Sequence, residues 1–382
     1  MKLVAKTLYG LEKVLEKELL SLGARDTVTG NRAVVFSANL ETLYAVNYGS
    51  RTAMSVLMPI SEFSISSSDD LYRRASGIAW EKYLNPDDTF SVVPVVNSDL
   101  FRHTGYAALV VKDAIADRFR NISGSRPSVD NADPAILINL HISHNRVTIS
   151  LDSSGIPLYK RGYRVDQGLA PLNEVLAAGM IMMSGWDCAV PLSDPMCGSG
   201  TISVEAALLA GRIPPGRFRK SFGFMRWKNF DEELFSVVAE RLNQAATPIT
   251  ASISAGDISE DAVESARRNI EAAGLADVVG VEVHDFMEMK LPEEEGIVFL
   301  NPPYEERIIT GDPALFYGKM GTTLKHGFPG REVWLLTHNR EALKHIGLKP
   351  REKHMLFNGQ LEVLYLKYEM YRGSRKNVGE NG

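Results

Sequence analysis

"SDPMCGSGTISVEAALLAG", Ser193 to Gly211, decides the fold. An apolar run from Val190 reads as a strand ending at Asp194, and Thr201 to Ala210 reads as a helix. Gly198 and Gly200 lie in the loop between them. Glycines let a backbone pass close to a ligand, and a helix N-terminus favours negative charge. Three ligand classes use such a turn. A nucleoside triphosphate needs a lysine after the last glycine, and Thr201 stands there instead. A dinucleotide needs a third glycine three residues on, where this chain has Ser203, and an acidic strand end about 20 residues later, which is missing. A nucleoside ligand without phosphates remains.

For that class an acidic residue before the turn makes sense. Asp194 would repel a pyrophosphate but can accept from an ammonium, and S-adenosylmethionine carries one. Asp194, Pro195, Gly198, Gly200 and Thr201 are therefore the expected cofactor turn. Outward from it, strands are predicted at 249–255, 278–283, 297–300 and 333–337, alternating with helices, the sign of a parallel sheet. The strand after the turn ends "SISAGDIS", where Asp257 can accept from both ribose hydroxyls and Ile258 adjoins it. The next ends "VEVHDFME", where Asp285 can accept from an adenine amino group and Phe286 can cover the ring. Ligands of open α/β sheets bind outside this carboxyl edge. The plainer reading is that each aspartate only caps the helix after it. Cys197 has no histidine nearby in sequence to serve as a base, and reads as a small residue rather than a nucleophile.

The fourth strand ends "LNPPYEER", Leu300 to Arg307. An exocyclic amino group is a poor nucleophile because its lone pair is conjugated. Acceptors at its hydrogens help it pyramidalise, and the Asn301 side-chain oxygen and Pro302 carbonyl can supply them. Pro302 and Pro303 stiffen the corner, and Tyr304 can stack on a planar substrate. Asn301, Pro302, Pro303 and Tyr304 are thus the expected catalytic corner.

The first half of the chain mixes helices with strands predicted to pair antiparallel, an α+β pattern. "SSGIPLYKRGYRVDQGLAP" reads as the boundary. Near the end, strands flank a turn about Asn358-Gly359, a hairpin signal. No apolar run reaches the ~18 residues of a membrane span. The two cysteines suggest a reducing, cytoplasmic setting, and the eight histidines show no metal pattern. At a net charge of −5, a nucleic acid would have to be held by a local basic patch.

"DPMCGSGT" with "NPPY" is similar to the amino-methyltransferases: adenine methylases of DNA, guanine-N2 methylases of RNA and glutamine methylases of release factors. "FRHTGYAALVVKDAIADRF", "LDSSGIPLYKRGYR", "APLNEVLAAGM" and "LFNGQLEVLYL" resemble the bacterial THUMP-containing methyltransferases that modify guanine-N2 of large-subunit (23S) ribosomal RNA. The likeness covers nearly the whole chain and shows one methyltransferase pattern where some relatives carry two. It implies a ferredoxin-like domain at 1–65, a THUMP domain at 66–160 that holds RNA, and a Rossmann-like S-adenosylmethionine-dependent methyltransferase domain at 165–375 ending in the hairpin. A fragment from residue 165 on is then expected to keep cofactor affinity and lose RNA affinity. A DNA adenine-N6 methylase would need a separate domain reading base edges. A non-catalytic RNA-binding or assembly protein would tolerate a decayed loop. From Arg212 to Phe230 six basic residues alternate with Phe218, Phe222, Phe224 and Trp227. Two readings stand for this segment: RNA contact, or an insertion whose aromatics pack on the sheet.

Overall fold

The computed structural model describes residues 1–166, 171–303 and 311–371. They form two compact units, and each takes a segment from the other half of the sequence.

The first unit comprises Met1–Thr7, Leu15–Leu158 and Arg219–Arg241. It opens with β1 (Lys2–Lys6), α1 (Glu12–Ser21), β2 (Arg25–Gly30), β3 (Ala33–Ser37), α2 (Leu40–Gly49) and β4 (Ser55–Ser64). These strands run in the order β2-β3-β1-β4, all neighbours antiparallel, the split βαβ of a ferredoxin-like domain. The buried Glu18 carboxylate closes the α2–β4 turn by accepting from Ser50 Oγ, Thr52 Oγ1 and the N–H groups of Arg51 and Thr52.

Then come α3 (Ser68–Ser76), β5 (Thr89–Asn97), α4 (Thr104–Ser123), β6 (Ser128–Val129), β7 (Ile136–Ser143) and β8 (Arg146–Asp152), which extend the sheet to eight strands. Here β5 pairs in parallel with both β6 and β7, because α4 carries the chain across as a βαβ crossover; the antiparallel expectation fails at these two pairs. Helix α3 stops at Ser76, and the Trp80 indole turns back to donate to the Ala75 carbonyl at 2.8 Å.

The second unit comprises Leu8–Val14, Tyr159–Phe218 and the chain from Leu242 on. In chain order the elements continue as α5 (Glu174–Ser184), β9 (Leu192–Asp194), α6 (Thr201–Ala210), α7 (Glu232–Gln244), which lies in the first unit up to Arg241, β10 (Ile253–Asp257), α8 (Glu260–Ala272) and β11 (Val279–Val283). They end with β12 (Gly296–Leu300), α9 (Pro313–Gly327), β13 (Arg331–Thr337), α10 (Arg340–Leu343), β14 (Glu352–Asn358) and β15 (Leu361–Glu369). The seven-stranded sheet runs β11-β10-β9-β12-β13-β15-β14. Its first five strands are parallel, and β12 and β13 are buried and apolar at their centre, as strands covered on both faces are. The hairpin forms, with Asn358 opposite Leu361, so the loop is Gly359-Gln360 and lies one residue later than expected. Gly359 takes φ +64° and Gln360 stays out of the left-handed region, the II′ pattern.

The exchanged segments are tightly seated. Leu11 is fully buried against Gly179 of α5, where an added Cβ would lie 2.5 Å from its methyl. In the first unit Phe222, Phe224 and Trp227 are buried. Phe224 lies 4.6 Å from Tyr44 of α2, and Phe235 reaches both Tyr44 and Tyr48. Arg219 donates to the carbonyls of Ser154, Ile156 and Pro157, Arg226 pairs with Asp133, and Lys228 donates to the Glu81 carbonyl. The alternation of basic and aromatic residues thus builds a core here, and these rings offer no face to a base.

Candidate active site

Asp194 ends β9 and is 1% exposed. Ser203 Oγ, one turn into α6, donates to its Oδ2 at 2.9 Å. That is the residue standing where a dinucleotide fingerprint has its third glycine. Asp194 Oδ1 is sealed from solvent and has no partner among the described residues. Burial, with help from the nearby Asp257 charge and against the Ser203 bond, pushes the carboxyl up to about 7.

The loop from Pro195 to Gly200 is pinned by its backbone. Cys197 N–H donates to the Gly256 carbonyl at 2.8 Å, and Gly198 N–H to Asp257 Oδ2 at 3.0 Å. Gly198 and Gly200 take φ +53° and +78°, where a side chain would be strained. Gly200 also lies close on α8, its missing Cβ 3.1 Å from that of Ala266. Thr201 then opens α6, as expected. Burial first, then Asp194 and Asp257, drives the Cys197 thiol far above its ordinary range, so it carries no thiolate.

Asp257 ends β10 with Oδ1 accepting from Ser259 N–H and Oδ2 from Gly198 N–H, both at 3.0 Å. The N-cap of α8 is Ser259, so Asp257 welds the glycine loop to the strand end instead of capping the helix. Ile258 beside it is 53% exposed. Asp285 does cap, accepting from Met287 N–H at the 3₁₀ turn Phe286–Glu288. Phe286, expected to cover a ring, is instead 3% exposed and packs 5.4 Å from Phe328 in the core under α9. It shares that cluster with Val298 and Leu300 of β12 and with Tyr317, Met320 and Leu324 of α9, so burial decides where its ring goes. His284, not singled out from sequence, lays its ring across Gly256, where a Cβ would meet Cε1 at 2.0 Å. No sequence signal marks it, because the contact depends on the β10–β11 register.

Asn301 follows β12 and is half-buried, Pro302 is buried and Pro303 exposed. Tyr304 lies outside the described residues. Among the described residues no three His, Cys, Asp or Glu side chains are grouped to hold a metal, and no helix is long and apolar enough to cross a membrane.

The sheet order assembles the site. Asp285, Asp257, Asp194 and Asn301 follow or end β11, β10, β9 and β12, four adjacent parallel strands about 4.8 Å apart. After β9 the chain runs outward to β10 and β11, then returns to lay β12 on the other side of β9. That reversal is the switch point at which open α/β sheets bind ligands.

Residues 161–367 match the RMKL-like methyltransferase domain, residues 66–152 the THUMP domain, and residues 2–57 the RlmL ferredoxin-like domain. A ribosomal RNA large subunit methyltransferase K/L of Psychromonas ingrahamii is 38% identical over 95% of this chain. The chain spans about half the length of the curated relatives of that name that it matches. A Synechocystis protein named as an RNA methyltransferase is 35% identical over 95% of both chains. A solved structure named as a methyltransferase complexed with SAH superposes with a TM-score of 0.87 at 30% identity, covering 98% of this chain and 99% of that one. The chain belongs to the family of RMKL-like methyltransferase domains, joined to a THUMP domain and an RlmL-type ferredoxin-like domain.

Proposed function

We propose that this chain is a cytoplasmic, S-adenosylmethionine-dependent methyltransferase that modifies the exocyclic N2 of a guanine in RNA, in large-subunit ribosomal RNA. The observation that carries the reading is the row of Asp285, Asp257, Asp194 and Asn301 along one sheet edge beside the glycine loop. The names of the relatives support the substrate class, and the family matches support a division into 1–65, 66–160 and 165–375.

The residues fit the cofactor. The sealed, unpartnered Asp194 Oδ1 calls for a donor, and an ammonium meets both its geometry and its charge. Each Asp257 oxygen, already accepting one backbone N–H, keeps a lone pair for a ribose hydroxyl. Exposed Ile258 offers an apolar face to a purine, and Asp285 an acceptor to its amino group. When bound, S-adenosylmethionine supplies a methyl carbon on a sulfonium, an electrophile with a neutral leaving group. The chain's part is to hold the amino group. Asn301 Oδ1 and the Pro302 carbonyl accept its two N–H groups, turning the lone pair out of conjugation toward the methyl carbon. The proton lost on transfer passes to solvent. The target base must be unpaired or flipped to enter.

The test is to incubate the chain with labelled cofactor and ribosomal RNA from a strain lacking the gene, then digest to nucleosides. N2-methylguanosine is the expected product. Methyladenine in DNA and none in RNA would replace the reading with a DNA adenine methylase. Transfer to no nucleic acid would leave glutamine methylation or a non-catalytic RNA-binding role.

Two binding predictions follow from the carboxylates. Asp257→Ala should weaken S-adenosylmethionine by ~1–3 kcal/mol, because it removes acceptors from the ribose and from Gly198 N–H. Unchanged affinity in calorimetry would take Asp257 out of the site. Asp194, at about 7 in the free protein, is protonated in acid, whereas an ammonium needs the carboxylate. Binding therefore expels a proton below that pH, and affinity should fall as pH drops from about 7 toward 5. Asp194→Asn should bind more weakly and flatten this dependence.

A further inference from the structure

The stretch Tyr159 to Asp166, read from sequence as a domain boundary, lies against the glycine loop. Arg164 there has a side chain only 11% exposed and spends its whole guanidinium on that neighbourhood. Nη1 donates to Ser199 Oγ at 3.1 Å, and Nη2 to Thr201 Oγ1 and the Leu172 carbonyl, each at 3.0 Å. Nε donates to Glu174 Oε1 at 2.9 Å. Asn269, 1% exposed on α8, grips the same loop from behind. Its Oδ1 accepts from Val165 and Asp166 N–H at 3.0 and 2.9 Å. Its Nδ2 donates to the carbonyls of Asp166 and Ser199 at 2.8 and 3.0 Å. All four hydrogen-bonding positions of the amide are filled.

Stability does not explain this arrangement. A cation at a helix N-terminus is unfavourable, and Arg164 stands at that of α6. The buried Glu174 partner offsets the charge, yet a buried ion pair is in general no better for stability than an apolar pair. What the fork does achieve is geometric. It fixes the hydroxyls of Ser199 and Thr201, which bracket Gly200 with its φ of +78°.

Resting on the cofactor reading above, the geometry points to Arg164, backed by Asn269, as the positioning residue that presets the glycine loop for S-adenosylmethionine. Arg164 acts on the loop through Ser199 and Thr201. Lysine keeps the charge but cannot make the planar fork, so Arg164→Lys separates geometry from charge.

The experiment is calorimetry of S-adenosylhomocysteine on the full chain, with steady-state kinetics in parallel. Arg164→Lys should raise Kd and the cofactor KM together by about tenfold to a hundredfold, with kcat changed by less than about threefold. Ser199→Ala, a milder change, should raise Kd in the same direction and show a non-additive effect with Arg164→Lys, since both cut one link. It also carries the test alone should Arg164→Lys not fold. If the parent binds S-adenosylhomocysteine and both variants bind equally well, the positioning role is wrong. A lower Tm and active fraction with unchanged Kd would likewise reduce Arg164 to a packing residue. A parent chain that binds no S-adenosylhomocysteine would instead overturn the cofactor reading itself.

Discussion

Asn301→Ala should lose turnover by ~10²–10³-fold while binding S-adenosylmethionine as the parent does, the scale for deleting one preorganised polar contact at a reacting centre. The side chain is small, half-buried and beyond the end of β12, so its removal opens no core cavity. The opposite pattern is expected at the carboxylates and at Arg164, where affinity falls and turnover survives. This contrast separates the two halves of the site: the β9 and β10 ends hold a cofactor, and the β12 end holds the reacting amino group. Single-turnover methyl transfer with saturating cofactor is the measurement. A variant that transfers at the parent rate would remove Asn301 from the chemistry. A variant that fails to bind cofactor would merge the two halves into one.

The second large effect concerns the fragment 165–382, which should not behave as an autonomous methyltransferase domain. The cut removes Leu8–Val14, which belong to the second unit, and so uncovers Gly179 and the α5 face that Leu11 fills. It also leaves Arg219–Arg241 without the first unit to which they belong. Phe222, Phe224 and Phe235 would then lose Tyr44 and Tyr48 and meet water. An exposed aromatic patch of that kind favours association. Size-exclusion chromatography should show aggregate, and thermal unfolding no sharp transition. In the full chain, Phe224→Ala should cost ~3–5 kcal/mol, the range for a buried phenylalanine in a packed cluster. A monomeric fragment with parent cofactor affinity would show that the exchanged segments are dispensable.

Much of the molecule was legible as sequence because the signals were local. Thr201–Ala210 emerged at its bounds because a glycine loop and a helical run abut there. The β9, β10, β12 and β13 strands emerged from short apolar runs, and their alternation with helices set the fold class. Asp194, Asp257, Asp285 and Asn301 could be named because strand-end polar residues stand out against such runs. The turn at 359–360 moved by one residue, since strand register, and not composition, sets which pair closes a hairpin.

What tertiary structure alone decided is where each side chain spends its contacts. Phe286 and Asp285 are neighbours in sequence, yet one enters the core under α9 and the other caps a turn at the sheet edge. The segment 212–230 has the composition of an RNA-binding stretch, but composition cannot say that α2 supplies Tyr44 and Tyr48 for its rings to pack on. By sequence Arg164 falls only in a boundary stretch; the fold brings Ser199 and Thr201, 35 and 37 residues away, against it. Local sequence determined the elements, the glycine loop and the residues at strand ends, because backbone preference and burial period are short-range. The pairing order that lines those ends into one edge, and the supports beneath the loop, are long-range contacts that only the folded chain fixes.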